Sequence, residues 1–194
     1  MGNLRVIGGE KRGFSLASPP GFDVRPTSAR VREALFDILA GEIPGAGFLE
    51  LYAGTGAVGI EALSRGARRC VFVEASHRGA RAIRDNLEAC GFRASGRVIA
   101  GPLPAALRRV PTGEAFDIAF LDPPYGDRGT AATLDALGGW EGLSREGRLV
   151  LEHRKSWEPP RHAGTLVLRR SVRYGDTVLS FYDRRERPAA RRKV

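Results

Sequence analysis

Apolar residues recur along the chain with two periods, and the switches between them divide it into alternating elements. Blocks at 70–74, 97–100, 116–121 and 148–152 are short and rich in Val, Ile, Leu and Phe, which predicts buried strands. The stretch 48–63 predicts a strand, a glycine loop and a helix in succession. Val31, Leu35 and Ile38 fall at i, i+4 and i+7, with Ala34, Phe36 and Leu39 widening the stripe. That spacing predicts an amphipathic helix capped by Thr27 or Ser28. Further helices are expected over 75–89 and 129–138, with a short one over 104–109. Residues 4–7 and 10–14 predict the arms of a small basic hairpin turning at Gly8-Gly9. Residues 165–168 and 178–182, joined through Tyr174-Gly175-Asp176, predict a terminal hairpin. Alternating strands and helices that end in a hairpin predict an α/β protein, a parallel sheet with an antiparallel edge. Residues 1–184 are expected to form one domain, with 1–24 as a hairpin extension. The basic, Pro/Ala-rich 185–194 is expected to be a disordered tail.

The strand at 116–121 runs into Asp122-Pro123-Pro124-Tyr125. Two prolines cannot donate to a sheet ladder, so the strand must stop there. The turn carries one carboxylate and one ring, and its backbone offers acceptors without matching donors. Such a turn suits the exocyclic amino group of a base, with two N–H donors to satisfy and a flat ring to stack on. A proline-rich turn with an Asp cap and a surface tyrosine would look the same in isolation.

The rest of the chain supplies what that site needs. Gly54-Thr55-Gly56-Ala57-Val58-Gly59 is a G-x-G-x-x-G between a strand and a helix, and Glu74 closes the next strand. This is the fingerprint of a nucleotide site, with close backbone approach at the glycines and a carboxylate for ribose hydroxyls. It fits NAD or S-adenosylmethionine. Glu50, just ahead of the loop, would repel a pyrophosphate and suit an ammonium or sulfonium, which favours the methyl donor. First and fourth strands are neighbours in doubly wound sheets, so the glycine loop and Asp122–Tyr125 are expected to face each other across one crevice.

Length and composition describe an ordinary globular domain: 194 residues, 42% hydrophobic and 27% charged. No apolar run approaches the roughly 18 residues a bilayer span needs, and the N-terminus shows no signal-peptide core. Two cysteines without close Cys or His neighbours point to a reducing, cytoplasmic setting and imply no metal. Charge changes the picture more. Residues 1–32 carry net +4, residues 33–153 net −3 and residues 154–194 net +8. Basic ends around a mildly acidic centre suggest a polyanion held at the periphery. Arg25, Arg30 and Arg32 cluster at a helix start, where the dipole disfavours cations, so an anion is expected there.

Taken together, Phe48-Leu49-Glu50-Leu51-Tyr52-Ala53-Gly54-Thr55-Gly56 and Asp122-Pro123-Pro124-Tyr125 resemble a class I S-adenosylmethionine-dependent amino-methyltransferase. With Arg5-Val6-Ile7-Gly8-Gly9, Arg25-Pro26-Thr27, Arg30–Phe36, Gly59–Ala67 and Tyr174-Gly175-Asp176-Thr177, the chain resembles the RsmD family of bacterial 16S rRNA guanine-N2 methyltransferases. The resemblance covers nearly the whole chain. It implies a Rossmann-like fold, seven mostly parallel strands with an antiparallel C-terminal edge strand. It also implies Asp122, Pro123, Pro124 and Tyr125 as catalytic residues, and Glu50, Gly54, Thr55, Gly56, Glu74, Asp122, Arg25 and Thr27 as binders of S-adenosylmethionine. Arg5, Lys11, Arg12, Arg30, Arg32 and Arg173 would hold RNA phosphates. The implied partner is 16S rRNA, within the 30S subunit or an assembly intermediate, met by a monomer. Two departures stand out: Ala29 where the family has Asp, and Ala100-Gly101-Pro102 with no polar side chain for the adenine amino group.

Three other readings share parts of the pattern. An adenine-N6 methyltransferase has the same central chemistry. A dehydrogenase would use the glycine loop and leave Asp122–Tyr125 unexplained. A non-catalytic ribosome-assembly factor would need only the basic surfaces.

Overall fold

The computed structural model describes residues 4–19, 28–113, 115–124 and 129–184. Arg25, Thr27, Tyr125 and the tail 185–194 lie outside the described residues. Among the described residues eight strands share one sheet: β1 Gly47–Leu51, β2 Arg69–Glu74, β3 Gly96–Ala100, β4 Phe116–Leu121, β5 Leu143–Arg154, β6 His162–Ala163, β7 Leu166–Tyr174 and β8 Thr177–Arg184. Their spatial order is β3-β2-β1-β4-β5-β8-β7-β6. The first five in that order are parallel, and β8, β7 and β6 add antiparallel pairs.

Both faces of the parallel half are covered, which is why β1 is buried along its whole length. Helices α1 (Ala29–Ile38), α2 (Ala57–Ser64) and α3 (His77–Ala89) form one core with Phe48, Phe72, Phe120 and Phe181. A 3₁₀ turn at Ala105–Arg109 and α4 (Gly129–Gly139) form the other, with Leu49, Leu51, Leu121 and Leu149. Alternation along each strand assigns successive side chains to opposite cores. Among the described residues, no helix is long and apolar enough to cross a membrane.

The expected α/β class with a mostly parallel sheet is what the chain adopts. Its antiparallel part differs in detail from the expected single edge strand. The last strand, β8, lies inside the sheet between β5 and β7, and the two-residue β6 raises the count to eight. The N-terminal hairpin is also reduced. Its arms meet in one antiparallel bridge, Arg5 with Ser15, and residues 10–13 are turn rather than strand. The turn lies too close to α2 for a ladder to extend: a Cβ on Gly9, whose φ is +77°, would come within 1.8 Å of the Ser64 carbonyl oxygen.

That arm is held by polar side chains of two helices. The Glu61 carboxylate, fully buried on α2, accepts the amides of Ile7 and Gly8 at 2.7 Å each and Arg65 Nε at 2.8 Å. Ser64 Oγ accepts the Lys11 amide and donates to the Gly8 carbonyl. Asn86 on α3 pairs with both backbone groups of Ala17 and donates to the Thr55 carbonyl in the glycine loop.

Ser28 caps α1, its Oγ accepting the Val31 amide at 3.2 Å. The buried face of α1 is Val31, Arg32, Leu35 and Phe36, with Ile38 only half-buried. Arg32 therefore points inward, which corrects its assignment as an RNA contact. It is 2% exposed, donates to the Arg5 carbonyl, and lies 3.8 Å from Glu61. Burial lowers its pKa, with Glu61 opposing that shift.

Candidate active site

The carboxyl ends of β1 and β4 lie side by side, Leu51 opposite Leu121. From there β1 turns into Tyr52-Ala53-Gly54-Thr55-Gly56 and β4 into Asp122-Pro123-Pro124. The Asp122 amide reaches back to the Leu51 carbonyl at 3.4 Å. The two expected halves of the site are thus adjacent, at the position where open α/β sheets bind ligands.

Gly54 and Gly56 have φ of +58° and +79°, a backbone that side chains strain, and Gly56 directly precedes α2. Gly59 serves packing instead. A Cβ there would lie 2.4 Å from the Phe72 ring and 2.8 Å from Glu50 Oε2. Glu74, half-buried at the end of β2, accepts the Gly54 amide at 2.7 Å and the Ser76 amide at 2.8 Å. It holds the loop while remaining accessible beside it.

Glu50 does something other than the expected pairing with a cationic ligand. It is 3% exposed, and its oxygens accept the amides of Val58 at 3.3 Å and Gly59 at 2.9 Å, in the first turn of α2. The helix dipole favours a negative charge there. Burial nevertheless pushes its pKa up to about 8, and the charges of Asp122 and Glu74 add to the shift. Glu50 thus lies within electrostatic reach of two further carboxylates, Asp122 and Glu74. Such a cluster repels a pyrophosphate and is relieved by a cation.

Among the other expected residues, Thr55 is buried in the loop, Pro123 is buried and Pro124 exposed, and Asp122 is half-buried. Of the basic residues, Arg5 and Arg12 are exposed on the N-terminal arm, where Lys11 lies 5.8 Å from the Phe92 ring centroid. Arg30 is exposed at the start of α1, and Arg173 at the β7–β8 turn, where its Nε donates to the Gly175 carbonyl. The backbone after β3 is closed by Gly101, whose amide donates to the Glu74 carbonyl; Arg109 donates to the Ala100 carbonyl beside it.

Sequence reasoning overlooked Tyr52, Glu61, Ser64 and Asn86. Tyr52 has a φ of +59°, the one positive φ outside glycine among the described residues, and its hydroxyl bonds Thr133 Oγ1 on α4 at 2.9 Å. No local signal marks that backbone. Glu61 did leave one: it is a lone acid among apolar residues of a helix buried on all sides.

The chain is similar to known proteins over nearly its full length. A family model described as conserved hypothetical protein 95 matches residues 4–183. YlbH of Bacillus subtilis (strain 168) is 34% identical, covering 94% of this chain and 100% of its own. Ribosomal RNA small subunit methyltransferase D of Escherichia coli (strain K12) is 32% identical over 94% of this chain and 91% of its own. The structure of YhhF from E. coli superposes with a TM-score of 0.82 at 29% identity, covering 95% of this chain and 99% of that one. The match spans the N-terminal arm, the glycine loop and the β4 turn alike, and the chain therefore belongs to this family, the RsmD family of methyltransferases.

Proposed function

We propose that the protein transfers a methyl group to the exocyclic N2 of a guanine in 16S rRNA of the small ribosomal subunit. The observation that carries this reading is the placement of Asp122-Pro123-Pro124 beside the glycine loop, acceptors on one side and a nucleotide cradle on the other. The methyl donor is S-adenosylmethionine. The residues present fit it: glycine backbone at Gly54 and Gly56, a reachable Glu74 carboxylate, and an acidic cluster that a cation relieves. Bound there, S-adenosylmethionine supplies an electrophilic methyl group on a sulfonium.

The nitrogen lone pair of a guanine amino group is delocalised into the ring and is a poor nucleophile. The Asp122 carboxylate and the Pro123 carbonyl accept its two N–H hydrogens, which draws the nitrogen toward a tetrahedral geometry, directs its lone pair at the methyl group and stabilises positive charge as it forms. Asp122 then takes or relays the surplus proton, an easy step that needs no strong base. Tyr125 stacks on the extruded base. Gly54, Thr55 and Gly56 admit the methionine end, Glu74 takes the ribose hydroxyls, and Arg25 and Thr27 complete the donor site. Arg5, Lys11, Arg12, Arg30 and Arg173 meet phosphates. The enzyme acts as a monomer in the cytoplasm, on the 30S subunit or an assembly intermediate.

The test is transfer of labelled methyl to small subunits lacking the modification, followed by nucleoside analysis, for wild type and Asp122→Ala. N2-methylguanosine formed by wild type alone is the expected result. Label on adenine N6 would keep the enzyme class and overturn the substrate. An Asp122→Ala enzyme as active as wild type would overturn the site.

A further inference from the structure

We propose that Trp157 is a stacking platform for a single-stranded RNA nucleotide next to the methylated one. This inference rests on the reading of the protein as an RNA methyltransferase. β4 and β5 run parallel with Leu121 opposite Leu151. Just beyond that pair, β4 enters Asp122-Pro123-Pro124, while β5 continues through Glu152, His153 and Arg154 into the turn that carries Trp157. The tryptophan therefore lies at the carboxyl end of β5, the end of the sheet at which the reaction site opens.

Trp157 is 37% exposed, and only Phe14 is a comparably exposed large apolar residue among the described residues. A lone exposed aromatic is ordinary on a protein surface; what sets this one apart is its fixed orientation and its basic neighbours. The ring is held in place. It packs at an interplanar angle of 81° and 5.4 Å from the His153 ring. His153 is itself buried, with Nε2 2.8 Å from Ser180 Oγ and Nδ1 2.8 Å from the Arg154 carbonyl. The Trp157 amide closes the turn on that same carbonyl. A fixed ring offers a π-face without the entropy cost of ordering it on binding.

The surroundings fit RNA better than an apolar protein surface. Arg154, Lys155 and Arg161 flank the tryptophan in sequence, against one acid, Glu158. The β7–β8 turn reaches the same end of the sheet, Arg154 pairing with Thr177, and brings Arg173 with it. Asp176 in that turn is paired with Lys155 at 2.7 Å. An exposed aromatic among cations is the usual combination for single-stranded nucleic acid, because every base has a π-face and every link a phosphate.

The test compares wild type with Trp157→Ala, Trp157→Phe and Trp157→Leu, the last keeping an apolar cover on His153 without a π-face. Methylation of small subunits should show KM raised about fivefold or more in the Ala and Leu variants, with kcat within about twofold, and Phe near wild type. A six-nucleotide single-stranded RNA should quench indole fluorescence in wild type and not in Trp157→Phe, where Trp140 is the remaining indole. Unchanged KM in both Ala and Leu variants would overturn the proposal. A rise in KM on subunits with unchanged binding to protein-free RNA would overturn it too, and would assign the ring to a ribosomal protein. If wild type methylates nothing, the functional reading fails, and the quenching result alone decides the role of Trp157.

Discussion

Arg32 and Glu61 face each other at 3.8 Å, on two helices, with both side chains shut off from solvent. The carboxylate serves four groups at once: Arg32, Arg65 and the amides of Ile7 and Gly8. The two partners are unequal. Removing Glu61 leaves a buried guanidinium and two backbone donors uncompensated, whereas removing Arg32 leaves Glu61 its other three partners. Glu61→Ala should cost about 3–5 kcal/mol, and Arg32→Met clearly less. Urea midpoints at constant m-value check this. Arg32→Met should also leave the salt dependence of RNA binding unchanged, while Arg12→Ala lowers the slope by about one.

Much of this was legible in the sequence, and the failures have physical causes. Asp122-Pro123-Pro124 after a run of buried residues, and glycines between a strand and a helix, are local signals that need no tertiary knowledge. Adjacency of β1 and β4 follows from a rule of doubly wound sheets and holds here. Nothing local says which strand of a terminal hairpin pairs with β5, so the place of β8 inside the sheet is not readable from the sequence. Arg32 reads as surface from its charge, and its inward turn depends on an acid in another helix. Glu50 sits at the expected place, but its oxygens belong to α2, because the first turn of a helix competes with any ligand for a carboxylate.

Glu50 should make stability fall with rising pH. Its folded pKa, about 8, lies above the roughly 4.3 of an unfolded Glu, so the folded state holds one more proton between those values. The favourable term is complete below pH 4.3 and is lost as pH rises toward 8, by at most about 1.4 kcal/mol per pH unit. Thermal midpoints of wild type should decline across this window relative to Glu50→Gln, whose profile should be flatter. Binding of a cationic donor should release a proton near pH 8, because it favours the charged form. Calorimetry in buffers of different ionisation enthalpy detects that release, and equal heats in all of them would count against it.

Gly59→Ala should damage the donor site without touching any residue that meets the ligand. The added methyl would meet the Phe72 ring, Cys70 Sγ at 2.6 Å and Glu50 Oε2, so α2 must move away from the sheet. Overpacking of this kind costs about 1–3 kcal/mol. Because α2 begins at the glycine loop, donor affinity should fall together with stability. Gly41→Ala, with nothing within 4 Å of the new Cβ, is the control and should change neither. Denaturation curves and equilibrium binding of S-adenosylmethionine separate the two variants.

Tyr52 connects the glycine loop to the other half of the site. Its left-handed backbone, costly for an aromatic residue, follows directly on β1, and its hydroxyl reaches Thr133 on α4. That helix is the first described element after the Asp122-Pro123-Pro124 turn, so the bond ties the acceptor side of the crevice to the end of β1. Tyr52→Phe keeps the ring and removes the bond, at a stability cost of about 0.5–1.5 kcal/mol. On the proposed reading the donor is held by the glycine loop and Glu74, so its affinity should hold. On the same reading transfer needs Asp122 correctly aimed, so kcat should fall while the KM for donor stays constant. Single-turnover rates with saturating donor make the comparison. A variant that loses donor affinity and transfer together would show that Tyr52 supports the loop rather than the link between the two halves.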